Sequence, residues 1–181
     1  MTHSNPHPSS LIPQPLILDI GCGAHCLPGA LGMDMMPHPG VGVVHDMNIG
    51  PWPLDDSSFT HVRCQHVIEH IQNLSLLARE IYRTCKNGAT VEFITPHYSS
   101  YASWGDPTHL HHFALGSIVQ LFDQQIGREK FRVLHNELHF TGSVVEFPGV
   151  LLYKLSRHHY EKHFAWMFPA NEVHTTVEIV K

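Results

Sequence analysis

Positive charge is scarce in this sequence. The 181 residues hold 11 Lys+Arg against 16 Asp+Glu, a formal net charge of -5 with histidine neutral. That balance argues against a nucleic-acid partner, which calls for a basic footprint. Charged residues together reach only 15%, while hydrophobic residues make up 43%. A chain so composed can bury a core and is not a disordered tail. Cysteine is sparse too: Cys22, Cys26, Cys64 and Cys85, with no CxxC pair. This is too thin for a disulfide scaffold and lacks the spacing of a zinc ribbon. Cys22 and Cys26 read as turn and loop thiols, neither reactive nor ligating. No apolar run approaches the ~20 residues that span a bilayer. The opening MTHSNPHPSSLIPQP has no Lys or Arg ahead of an apolar stretch, so it does not read as a secretory signal. A reduced, cytoplasmic, single-domain protein is the expectation.

Histidine, by contrast, is abundant: 18 residues, more than Lys and Arg combined. Imidazole titrates near neutrality and ligates metals, so histidine chemistry has to be weighed throughout.

Residues 1–15 are rich in Pro, Ser, Asn and His and read as a flexible arm; residues 16–181 form the domain. Leu16–Ile20 is a short apolar run of the kind buried on both faces of a parallel sheet. Ala30–Met33 closes on Asp34, and Val41–His45 closes on Asp46, so two strand-sized pieces carry a carboxylate at their C-terminal end. Thr60–Cys64 and Ala89–Ile94 are further strands. Between them Leu77, Ala78, Ile81, Tyr82 and Cys85 recur at helical spacing, with Ser75 as a cap and Gly88 beyond the end. Strand, helix, strand implies a right-handed crossover and a parallel sheet. A second helix is expected over Ser117–Asp123, a strand over Phe131–Phe140, a long helix from Pro148 to about Met167, and a final strand over His174–Val180. Lys154, Arg157, His158, His159, Lys162 and His163 give the long helix a basic face, read as solvated. The order is that of a three-layer α/β domain.

In an open parallel sheet, ligands bind beyond the carboxyl ends of the strands where strand order reverses. Leu18-Asp19-Ile20-Gly21-Cys22-Gly23 is placed there, and glycine lets backbone approach a ligand closely. At these residues the chain resembles the class I S-adenosylmethionine (SAM)-dependent methyltransferases, in particular the methyltransferase type 11 group. LDIGCG (18–23), GMD (32–34), VVHDM (43–47), WPLDDSSFTHV (52–62), QHVIEHI (65–71) and REIYRTCKNGATVEFITPH (79–97) carry the likeness. WGDPTHLHHF (104–113) and FPANEVH (168–174) look like segments of one branch of that family.

The resemblance implies a Rossmann-like methyltransferase fold, a mostly parallel seven-stranded sheet with an antiparallel last strand, and SAM as cofactor. Gly21 and Gly23 would line the methionine portion of SAM, with Asp19 beneath the turn. Asp34 would accept hydrogen bonds from the ribose hydroxyls, since a carboxylate has two oxygens suited to a diol. Asp46 would accept from the adenine amino group with Met47 against the ring, and Gln65 and His66 would face the methionine end and the acceptor. The helix that usually follows the glycine turn must be nearly absent, because only Ala24–Gly29 separates Gly23 from the next strand. A nicotinamide dinucleotide is disfavoured, as the third glycine of GxGxxG is missing. Residues of about 141–173 would stand outside the sheet as a lid-like helical insertion or a homodimer surface.

The loop after the fifth strand, 95–113, holds four histidines, one aspartate and four aromatics besides its polar residues, and should wall the acceptor site. Methyl transfer to a hydroxyl needs positioning and removal of one proton, work suited to a histidine base. His97 and His109 are the candidate bases, Asp106 could orient an imidazole, and Tyr98 or Trp104 could stack on the acceptor. An ordered lid with a structural His109 is the plain alternative. The expected activity is methyl transfer to a small-molecule or glycan-type acceptor, at oxygen. Two rivals stand beside it: a SAM-binding module without catalysis, and a histidine-dependent metal enzyme using His109-x-His111. The spacing matches no diagnostic metal motif such as HExxH, so no metal site is expected. Glu69-His70 is read as structural or near the cofactor.

Overall fold

The computed structural model describes residues 16–142 and 146–181; the arm expected over residues 1–15 lies outside the described residues. Seven strands, β1 (Ile17–Ile20), β2 (Leu31–Asp34), β3 (Val41–Val44), β4 (Phe59–Gln65), β5 (Cys85–Pro96), β6 (Phe131–His139) and β7 (Glu172–Ile179), form one sheet in the order β3-β2-β1-β4-β5-β7-β6. The first five pair in parallel, and β7 runs antiparallel between β5 and β6. This is the mostly parallel Rossmann-like sheet with an antiparallel last strand that the sequence led us to expect. Strand order reverses between β1 and β4, so their C-terminal ends open the crevice where such folds bind ligands.

The first two connections are turns without a helix among the described residues. Gly21–Ala30 crosses from β1 to β2 held by backbone bonds, Gly21 N to Met33 O at 2.7 Å and Ala30 N to Leu27 O at 3.1 Å. Helix α1 (Leu74–Thr84) makes the crossover from β4 to β5, burying Leu77, Ala78 and Ile81, and it packs against α3 (Ser117–Ile126). Its cap is not Ser75. Asn73 accepts from Leu76 N with its side chain, two residues earlier, because Asn48 Oδ1 already fixes the chain there by accepting from Gln72 N and Asn73 N. Trp52, 2% exposed, docks the 51–58 loop onto α1: its backbone N–H donates to Glu80 Oε2 and its indole to Met47 O. Arg83 closes the same cluster on Glu80 and Asp56.

Two expectations needed correction. The strand expected over 89–94 starts at Cys85, directly after α1, because Cys85 pairs with Phe59. The single long helix is two, α4 (Phe147–Leu155) and α5 (Arg157–His163), broken at Ser156. Ser156 is extended, and its side chain caps α5 by accepting from His159 N. A serine that can serve as N-cap competes with helix continuation. Tyr153 and Tyr160 anchor the two helices against Phe140. A short helix, α2 (Tyr101–Gly105), starts the histidine-rich loop. No helix of the described residues is long and apolar enough to cross a membrane.

Candidate functional site

The turn after β1 is shaped by two glycines in the left-handed region, Gly21 at φ +62° and Gly23 at φ +52°. At Gly21 a Cβ would lie 2.2 Å from Val67 Cγ2, so no side chain fits. Gly23 N donates to Asp34 Oδ2 at 2.9 Å, and Met36 N donates to Oδ1 at 2.9 Å. These bonds aim the Asp34 carboxylate across the ends of β1 and β2. A carboxylate has about four acceptor sites, so capacity for a diol remains. Asp46 is held likewise: Asn48 N and Nδ2 both donate to its Oδ1, at 2.9 and 3.0 Å.

Gly21, Asp34, Asp46, Met47 and His66 line one cavity of about 200 Å³, with Asn48, Val67, His70 and Ile71 completing much of the wall. Two carboxylates stand at adjacent strand ends, with a side-chain-free turn and a buried apolar flank from Met47, Val67 and Ile71. That combination suits a ligand with a diol, a flat heteroaromatic ring and a polar tail. Three expected residues stand back from it. Asp19 is 1% exposed and bound by Arg63 at 2.7 and 2.8 Å and by Leu27 N at 2.8 Å, so it braces the turn from below. Gly23 acts through its bond to Asp34. Gln65 ends β4 with its side chain exposed.

A second cavity of about 390 Å³ adjoins, lined by His66, Pro96, Ser100, Tyr101, Ala102, Pro169, Asn171 and Glu172. His66 belongs to both. It sits at φ +53°, a conformation uncommon for a residue with a side chain. Its Nδ1 lies 3.5 Å from Glu69 Oε1 and its Nε2 3.1 Å from Glu172 Oε1. The Glu69 carboxylate favours the imidazolium and, against partial burial, holds the His66 pKa above the ordinary value. Burial opposes ionisation of Glu69, but His66, its own backbone N–H and the Thr95 hydroxyl outweigh it and leave its pKa lowered.

The histidine-rich loop is arranged otherwise than expected, and none of its five candidate residues lines either cavity. His97 is fully buried. Its Nδ1 accepts from Ser99 N, which leaves the proton on Nε2, 3.2 Å from Glu161 Oε1. With the ring sealed and both nitrogens engaged, it ties β5 to α5 and is unavailable as a base. His109 Nδ1 faces Ser103 O at 3.0 Å, and its Nε2 points toward Glu69, 4.0 Å away. Asp106 orients neither of these rings; it accepts from Thr108 N and Oγ1 at 2.8 and 2.6 Å. Trp104 stacks on His112 at 3.6 Å and donates to Tyr98 O, while the Tyr98 hydroxyl donates to Glu161 O. His111 Nε2 faces Ile71 O at 3.0 Å, so His109 and His111 do not form a chelating pair.

Sequence reasoning passed over Ser100, Tyr101, Asn171 and Glu172. The last two reach the second cavity because β7 pairs with β5 in a register that sets Glu172 opposite Pro96. Their advance signal was the FPANEVH segment, which carried a likeness but no role, whereas Ser100 and Tyr101 lie in the 95–113 loop expected to wall the acceptor site.

Residues 34–93 match the family model described as a methyltransferase domain. The matched stretch runs from Asp34 through Asp46 and His66 to β5, and so includes much of the wall of the first cavity. Over that third of the chain the sequence is similar to a methyltransferase domain. Solved structures agree on the fold. A SAM-dependent methyltransferase from Mesorhizobium loti superposes with a TM-score of 0.60 at 14% identity, covering 90% of this chain and 89% of that one. Phosphoethanolamine N-methyltransferase 2 from Haemonchus contortus, in complex with SAM, gives 0.57 at 14% identity over 95% of this chain and 50% of that one. The [4+2]-cyclase SpnF gives 0.58 at 14% identity over 91% and 75%. No curated protein matches the sequence. SAM, bound in the Haemonchus contortus structure, has a diol, a flat heteroaromatic ring and a polar tail, the features that the first cavity suits.

Proposed function

We propose that this methyltransferase transfers the methyl group to a hydroxyl of a small-molecule or glycan-type acceptor held in the second cavity. SAM supplies an activated methyl group on a sulfonium. Asp34 would hold the ribose, Asp46 the adenine amino group, Met47 the ring, and the backbone of the Gly21 turn the methionine portion. His66, shared by both cavities, is the side chain that cofactor and acceptor would both touch. Ser100, Tyr101, Asn171 and Glu172 offer hydrogen-bonding groups to a polyhydroxylated molecule. The observation that supports the reading most is the junction itself: an acidic, glycine-floored cavity meeting one edged by Ser100, Asn171 and Glu172 at a single histidine. This reading gives the part of base to neither His97 nor His109, since neither lines either cavity.

Calorimetry with SAM and with S-adenosylhomocysteine is the test. Asp34→Ala removes hydrogen bonds to a charged acceptor, each worth about 1.5–3 kcal/mol, so affinity should fall roughly 10- to 100-fold. An unchanged affinity would show the ribose elsewhere. A metabolite extract incubated with methyl-labelled SAM then reads out the acceptor. Binding without transfer to any hydroxyl compound would favour a SAM-binding module without catalysis. The SpnF likeness shows that this fold also serves other chemistry.

A further inference from the structure

We propose that Glu69, His70 and His109 form a binding site for a divalent transition-metal ion such as zinc or cobalt. One ligand atom from each lies within 4.8 Å of the others. Glu69 is 1% exposed; its Oε2 accepts from the Thr95 hydroxyl at 3.0 Å, while its Oε1 is buried with no hydrogen-bond partner. An unpaired buried carboxylate oxygen is costly and calls for an explanation. His66 Nδ1 pairs with it at 3.5 Å when charged, without hydrogen-bond geometry.

The hydrogen bonds around the two imidazoles fix which nitrogen is free. The Thr108 hydroxyl donates to Asp106 Oδ1 at 2.6 Å, so its oxygen is left to accept from His70 Nδ1, 3.0 Å away. His109 Nδ1 faces the Ser103 carbonyl, which can only accept. Both neutral rings therefore carry their proton on Nδ1 and a lone pair on Nε2. His109 Nε2 looks at Glu69 Oε1 across 4.0 Å. One ligand atom from each of the two rings and the carboxylate thus share a space within 4.8 Å, with no hydrogen bond made to Glu69 Oε1. A cation there satisfies all three, and metal-bound histidines characteristically give their other N–H to a carbonyl, carboxylate or hydroxyl-type partner. The loop is also pinned over the site by Leu110 N and His111 N, which donate to Glu69 O at 2.8 and 3.2 Å.

Two imidazoles and one carboxylate suit zinc, iron, cobalt or nickel rather than magnesium. At bonds of about 2.0–2.2 Å, ligand atoms sit roughly 3.3 Å apart, so the set would close by about an ångström on binding. Three protein ligands leave a position open. Because His70 also lines the first cavity, that position borders the methyl-transfer junction; an acceptor oxygen there is a role that rests on the reading above, whereas metal binding does not. The other cluster of this kind, Asp19 with Cys22 and Cys26, lacks the unpaired atom: Arg63 and Leu27 occupy the Asp19 oxygens. The Cys22 thiol is also pushed up to about 12, by burial first.

The experiment uses the full chain without a histidine tag, stripped by chelator and titrated with Co2+, then with competing Zn2+. One equivalent of Co2+ should bind with a visible ligand-field band that Zn2+ abolishes. His109→Ala and His70→Ala should each weaken that binding at least about tenfold. Thr108→Val, at an exposed position, unsets the His70 tautomer and should weaken it roughly 10-fold while melting like the wild type, so a folding defect in the other variants does not blur the result. S-adenosylhomocysteine affinity, measured on the stripped protein, reports separately on the cofactor cavity. A wild type with no Co2+ band, or both histidine variants keeping the same band and stoichiometry, overturns the site.

Discussion

Replacing Gly21 by alanine separates two costs that the glycine turn avoids. The first is conformational: a side chain at φ +62° costs about 1–2 kcal/mol. The second is steric, since the new Cβ would meet Val67 Cγ2 at 2.2 Å and Cγ1 at 2.7 Å, and Val67 is only 6% exposed. Overpacking of this sort costs about 1–3 kcal/mol, giving roughly 2–5 kcal/mol in total. Gly23 is the built-in control, at φ +52° with nothing within 4 Å of an added Cβ. Gly23→Ala should therefore cost only the conformational share, about 1–2 kcal/mol. Urea denaturation at constant m-value reads the difference. Gly21→Ala combined with Val67→Ala should recover part of the steric loss, a coupling of about 0.5–3 kcal/mol. Val67 also walls the first cavity, so Gly21→Ala should weaken S-adenosylhomocysteine binding more than Gly23→Ala does. Equal destabilisation by the two alanines, or no coupling to Val67, would refute the packing account of the turn.

Glu161→Gln tests the staple beneath the loop. Burial opposes ionisation of Glu161, but His97 and Leu115 N outweigh it and hold its pKa below the usual carboxylate value. A depressed folded-state pKa contributes stability that is present above the unfolded value, near 4.3, and lost as pH falls through the folded one. The wild type should exceed the variant by about 1–3 kcal/mol at pH 7, and the gap should shrink in acid; a gap independent of pH between 3 and 7 contradicts the carboxylate's role. At the start of α1, Asn73→Ala should cost about 1 kcal/mol by thermal melting, while Ser75→Ala should cost little; the reverse order would restore Ser75 as the cap.

The strands and the glycine turn were legible because their signals are local. LDIGCG folds back on β2 within a few residues, and the two acidic strand ends lie side by side because β1, β2 and β3 follow one another in both chain and sheet. The break at Ser156 was not, since Pro148–Met167 is apolar enough to read as one helix and only the serine cap divides it. The second cavity was out of reach for a different reason. Glu172 and Pro96 meet only because β7 inserts between β5 and β6, a pairing set by tertiary packing and not by either segment's pattern. His97 was misread because an imidazole in a loop above the sheet looks reactive until its burial is known.

That misreading points to a better criterion for histidine-rich chains. An imidazole with one nitrogen on a backbone carbonyl or a hydroxyl serves as a two-ended connector, and this chain uses several in that way. His61 joins Thr90, His45 reaches Ile49 O, His111 reaches Ile71 O, and His97 spans Ser99 and Glu161. What separates the rest is the company of the second nitrogen. His70 and His109 cluster with a buried carboxylate whose Oε1 has no hydrogen-bond partner, and in His66 the second nitrogen faces Glu172 where the two cavities meet. Histidine abundance alone therefore says little about chemistry, whereas the surroundings of each ring nitrogen say more, as at His66 and His70 beside the crevice that the strand order creates.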